Sequence, residues 1–154
     1  MLSRIFPRQI DNNFQGWRLA VWLFVPVALL KGIQGTSIIF DTRAIAVSAD
    51  GIPLESYSAA SVETILTLFS VLGLYLLLLS LQSIVVLVRY RAMIPFMYLL
   101  WLCVQIFGIV LVLIHSIERT GGVSIGVYVN RAILAVTLIG FVLSLLPRRA
   151  NGTP

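Results

Sequence analysis

Residues 64–88 read TILTLFSVLGLYLLLLSLQSIVVLV, with no charged side chain among them. At ~1.5 Å of rise per residue such a helix crosses the ~30 Å hydrocarbon layer of a bilayer. The run from Leu72 to Leu81 is apolar on every face, whereas a membrane strand alternates apolar and polar residues, so a β-barrel is excluded and a helix bundle remains. Working outward, residues 92–114 form a second uncharged run, and an earlier segment from Trp17 is apolar over 19–30 before Lys31, Gln34 and Gly35. The last, from about Val123, meets Asn130 and Arg131 early and stops at Pro147. The expectation is an all-α, four-helix transmembrane bundle with helices at about 15–38, 60–89, 92–117 and 124–147, forming a single domain over 1–154.

Composition agrees. The 154 residues are 59% hydrophobic and 11% charged, against about a quarter charged in soluble domains. Mean hydropathy is +1.01. Four spans and their loops leave no length for a soluble catalytic domain. Cys103 is alone, which excludes a disulfide scaffold. The excess of 11 Lys+Arg over 6 Asp+Glu serves topology rather than a nucleic acid, because cations near helix ends are retained on the cytoplasmic side. Arg4, Arg8, Arg18, Arg89, Arg91, Arg148 and Arg149 fall at one side. Lys31, Arg43, Arg119 and Arg131 fall at the other, with Asp41, Asp50, Glu55, Glu63 and Glu118. Both termini are therefore expected in the cytoplasm. Trp17, Trp22, Tyr90 and Tyr98 fit an interfacial belt, and Trp101 is too deep for it. A cleaved signal peptide is rejected, since the cleavage-like Ala44-Ile45-Ala46 lies far beyond the apolar core.

The sizeable outer loop, about 36–60, holds Asp50-Gly51, a turn signal between two apolar stretches. A surface hairpin and a continuation of the first helix followed by a turn are both compatible with it, and Pro53 weakens the second strand. Ser56, Ser58 and Ser61 are candidate N-caps for the second span.

Polar residues within the bilayer are the informative ones, because each needs a partner or water. Counted from the inner arginines, Lys31 lies at ~20 Å, Gln34 at ~24 Å, Gln105 at ~21 Å, Arg131 at ~26 Å, Tyr75 at ~21 Å and Ser70 at ~28 Å. They share one outer-leaflet layer with no acid in it. Two explanations compete. In the first, Lys31 and Arg131 snorkel to the surface. In the second, Lys31, Gln34, Gln105, Asn130 and Arg131 line a cationic pocket for an anionic lipid or amphiphile. No catalytic residue, metal ligand set or cofactor is assigned: His115 and Glu118 lack further ligands, Cys103 lacks a base, and the glycines of 121–126 follow no strand. Gly140 with Ser144, Gly73 and Gly108 permit close helix approach, within the chain or in a homo-oligomer.

Residues 49–58, ADGIPLESYS, and 89–98, RYRAMIPFMY, resemble small uncharacterised bacterial integral membrane proteins of four helices, and the layout is similar to DoxX-like proteins. That resemblance implies a bacterial inner-membrane location and an accessory role, without a reaction. The function expected is a non-enzymatic accessory or interaction protein, with membrane lipids and other membrane proteins as partners and no nucleic acid. The alternative is a subunit of an oligomeric small-solute transporter or channel. For the topology, alkaline phosphatase inserted near Asp50 should be active and a fusion after Pro154 inactive; the opposite pattern would invert the orientation.

Overall fold

The computed structural model describes residues 2–7, 9–115 and 125–147, and among them every regular element is helical. A short α1 (Leu2–Ile5) is followed by α2 (Arg18–Phe40), a short α3 (Thr42–Ser48), α4 (Ala59–Arg89), α5 (Ile94–Ile114) and α6 (Ile125–Leu145), with 3-10 turns at Leu54–Ser56 and Arg91–Met93. The helices α2, α4, α6, and α5 with its preceding turn, are long and apolar enough to cross a bilayer. Helix is the form that satisfies its own backbone where no water is present. One end of the bundle carries α1 and the turn between α4 and α5, and is called the turn end; the other carries α3 and is called the loop end.

Local chemistry sets the boundaries. Ser58 is the serine that caps α4, its Oγ accepting from the Ser61 N–H at 3.3 Å, and Arg89 places a cation in the last turn, opposite the helix dipole. Pro95 sits in the first turn of α5, where its missing N–H costs no intrahelical bond. At Asp41 the backbone leaves the helical region (φ −132°, ψ 43°) and the chain resumes as α3. Of the two expectations for the outer loop, the helical continuation is therefore the one realised. Gly51, at φ 70°, takes the left-handed turn that a side chain would resist, and the Ile52 N–H donates back to Ala46 O at 2.9 Å. The returning segment buries Ala46, Ile52, Leu54 and Val62 together, so the loop is a packed element rather than a tether.

Helix α2 is central, with α4 along one flank and α6 along the other, while α5 packs on α6. Glycine makes the α2–α4 crossing close: a Cβ on Gly35 would stand 2.8 Å from Gly73 O, and one on Gly73 2.9 Å from Gly35 O. Beside it Ser80 Oγ donates to Ala28 O at 2.8 Å. Helices α4 and α5 are antiparallel across their tight turn, and Trp101 Nε1 donates to Ser83 Oγ at 3.0 Å, yet the close-packed partner of α5 is α6. Gly140 takes the Tyr98 ring, whose hydroxyl would overlap a Cβ there. Gly108 departs from the expected role, since a Cβ built on it meets nothing within 4 Å.

Toward the turn end the helices pack around aromatic rings. Phe24, Tyr98 and Trp101 are fully buried, Phe24 and Tyr98 meeting edge to face with centroids 4.8 Å apart. Tyr98 therefore belongs to the core rather than to the interfacial belt, because its hydroxyl finds Ala20 O at 2.7 Å inside the bundle. Trp22, by contrast, is exposed on the outside of α2. The N-terminal segment covers the end of α6: Arg4 Nη1 donates to Leu145 O at 2.5 Å, and the Trp17 N–H and Nε1–H donate to Leu143 O and Pro147 O. These donors satisfy carbonyls that a helix end leaves free.

The glycines separate by this packing. Gly73→Leu should wedge α2 from α4 and cost at least ~1–3 kcal/mol, whereas Gly108→Leu should leave stability unchanged or raised. Reversible unfolding in mixed micelles checks both, and equal losses would contradict the close crossing.

Candidate functional site

Between the loop-end halves of the four spans lies a cavity of about 340 Å³. Lys31 and Gln34 reach it from α2, Gln105 from α5, Asn130 and Arg131 from α6, and Asp50 from the returning loop. The five residues considered as pocket walls thus lie on one cavity, from three helices. The facing walls are apolar, with Leu72 and Leu76 from α4 and Val104, Gly108 and Val112 from α5.

Lys31 is 4% exposed. Its Nζ donates to Gln34 Oε1 at 2.9 Å, one helical turn along α2, and to Asn130 Oδ1 at 2.7 Å across the α2–α6 contact. An ammonium has three donors and no acceptor, so both amides must present oxygen to it. The snorkelling expected as one alternative does not match Lys31, whose ammonium ends on two acceptors inside the bundle. Arg131 differs: it is exposed and lines the cavity from its rim. One acid, Asp50, joins them on the cavity from the returning loop, since α3 folds back and sets Ala49 O where a Cβ on Gly126, at the start of α6, would stand 2.6 Å from it.

Gln105 is the second buried polar group. Its Nε2 donates to Trp101 O at 3.2 Å and to Thr137 Oγ1 at 3.3 Å, and the Thr137 hydroxyl donates onward to Ile133 O at 2.6 Å. This chain fixes the amide orientation and leaves Oε1 buried with no hydrogen-bond partner. An acceptor in that condition costs about 1–3 kcal/mol. Thr137 was not foreseen, although its position two helical turns from Asn130 puts it on the same face of α6. One turn toward the turn end from Gln105, Trp101 begins the packed aromatic floor.

Tyr75 and Ser70 share the depth but not the cavity. Tyr75 is exposed on the outside of α4, and Ser70 bonds Leu66 O and Thr42 Oγ1 near α3. His115 ends α5; Glu118 and the glycines at 121 and 122 lie outside the described residues. Among the described residues no three metal-ligating side chains gather. What the cavity offers chemically is cationic and amide hydrogen bonding together with the Asp50 carboxylate on one wall, and hydrocarbon on the other.

Two substitutions distinguish these buried groups. Asn130→Leu removes an acceptor from a buried ammonium and should cost about 1–3 kcal/mol. Gln105→Met removes the unpaired oxygen and should be neutral or stabilising in the purified protein. Thermal unfolding in detergent measures both; a large loss for Gln105→Met would show that the glutamine serves the fold.

No protein-family model, no curated protein and no solved structure matches the chain. None of these comparisons supports the expected DoxX-like or bacterial relationship.

Proposed function

We propose that this chain is a non-enzymatic accessory protein of the bacterial inner membrane, with both termini in the cytoplasm, that holds an anionic amphiphile in the loop-end cavity. One observation carries the reading: the Lys31 ammonium is buried against the cavity with, among the described residues, amide oxygens as its partners. Two of its three donors are used there, and the third suits a phosphate or carboxylate oxygen. Arg131 at the rim adds a second cation, and the unpaired Gln105 Oε1 suits a hydroxyl or ammonium hydrogen on the same headgroup. The cation count along the sequence supports this orientation, with Arg4, Arg18, Arg89 and Arg91 at the turn end among the described residues, and with it a cavity in the outer leaflet.

The transporter or channel reading gains less support. A conducting path needs polar groups through both halves, and the turn-end half is filled by Phe24, Tyr98 and Trp101. The cavity is a cup with a floor.

Native mass spectrometry from mild detergent, with equal phosphatidylglycerol and phosphatidylcholine added, tests the proposal. The protein should retain phosphatidylglycerol preferentially, and Arg131→Met should weaken that retention about tenfold, the loss expected for one charge-assisted contact of ~1.4 kcal/mol. Equal retention of both lipids by the unaltered protein would overturn it.

A further inference from the structure

The four long helices do not close into a ring. Helix α2 packs against α4 and α6, and α5 packs against α6, which leaves α4 and α5 as the two free flanks of an open arc. At the turn end the arc is shut by the tight turn and by the Trp101–Ser83 bond. Beyond Val104 nothing comparable joins them among the described residues. The residues from Ile106 to His115 are exposed on every face of α5, and a Cβ on Gly108 meets no atom within 4 Å. Yet Gly108 and Val112 of α5 and Leu72 of α4 all line the cavity, and Leu72 is itself about half exposed (47%). The cavity therefore opens sideways, between α4 and α5, into the hydrocarbon that surrounds the bundle.

The polarity of the walls follows this opening. Every polar lining residue but one stands on α2, α6 or the returning loop, at the back of the cavity; Gln105 is the exception and lies on the α5 floor. The flanks of the opening are Leu72 and Leu76 on one side and Gly108, Ile109, Val112 and Leu113 on the other. A free anion would be served by the polar back alone. An apolar slot leading from it to the bilayer suits a ligand that carries hydrocarbon.

We infer that the gap between α4 and α5 is a lateral portal through which the acyl chain of a membrane lipid stays in the leaflet while its anionic headgroup occupies the polar back of the cavity. This rests on the proposed binding of an anionic headgroup and specifies its source as the bilayer rather than the aqueous phase. The glycine at 108 keeps the portal open: any side chain there would project into the space the chain crosses.

The test uses phosphatidylglycerol with a diazirine near the end of one acyl chain, in vesicles of phosphatidylcholine containing the full chain, with labelled residues mapped by mass spectrometry. Labelling should concentrate at Leu72, Leu76 and Val112. It should fall at least fivefold in Gly108→Leu and in Leu72→Trp, which narrow the portal from opposite sides, while labelling of the outward-facing Trp22 stays constant. Unlabelled phosphatidylglycerol should compete and glycerol 3-phosphate should not. If phosphatidylglycerol is retained in preference to phosphatidylcholine but portal labelling is absent or unchanged in both variants, the portal is overturned and the headgroup reading stands. If glycerol 3-phosphate competes as well as the lipid, the occupant is a soluble anion and the portal is again overturned. If the unaltered protein shows no preference between the lipids, the headgroup reading itself fails.

Discussion

A lysine ammonium buried in a membrane bundle imposes the condition that organises the loop-end half of this protein. An isolated cation at mid-bilayer costs about 3 kcal/mol on insertion scales, and Lys31 meets that cost with the oxygens of Gln34 and Asn130. The bond to Asn130 ties α2 to α6 and holds two helices at a fixed rotation, because a turn of either by one residue would swing its amide or ammonium about 100° away. A polar back wall, a cavity in front of it and an unfilled acceptor at Gln105 all lie around that bond.

The opposite half obeys a different rule. At the turn end the helices approach closely by glycine and aromatic complementarity, with Gly140 beneath the Tyr98 ring, whereas the Gly35–Gly73 crossing lies nearer the loop end, beside the cavity. Lipid tails compete with side chains for apolar contact, so close fit rather than hydrophobicity drives such association. The result is a packed aromatic layer beneath the hollow, polar loop-end half. The short N-terminal helix and Trp17 take up carbonyls at the end of α6.

Much of this was legible in the sequence because a bilayer reduces folding to length and polarity. Uncharged runs located the spans, and a fixed rise per residue put Lys31, Gln34, Gln105 and Arg131 at one depth. Depth, however, says nothing of azimuth. Tyr75 has the same depth and points outward, and Arg131 reaches the cavity only from its rim. The return of α3 over the bundle was hidden because Asp50-Gly51 signals a turn without saying where the chain goes next, so Asp50 was assigned to the outer loop and not to the cavity it lines. The order of helices around the arc was equally hidden: a tight turn makes α4 and α5 neighbours in sequence, but the glycines that decide close approach are on α2, α4 and α6. Gly108 resembles them in sequence and differs from them only in facing space.

The central claim is that the Lys31 ammonium stays inside the bundle on Asn130 rather than extending to the membrane surface. Lys31 is the chain's single lysine, so 15Nζ-lysine labelling yields one signal. Rotational-echo double-resonance solid-state NMR in lipid bilayers, with 13Cγ-asparagine as the second label, measures its separation from the asparagine amide. The 2.7 Å hydrogen bond predicts a nitrogen–carbon distance of under ~4 Å, with the dephasing lost in Asn130→Leu. Absence of dephasing in the unaltered protein would place the ammonium elsewhere and contradict the account.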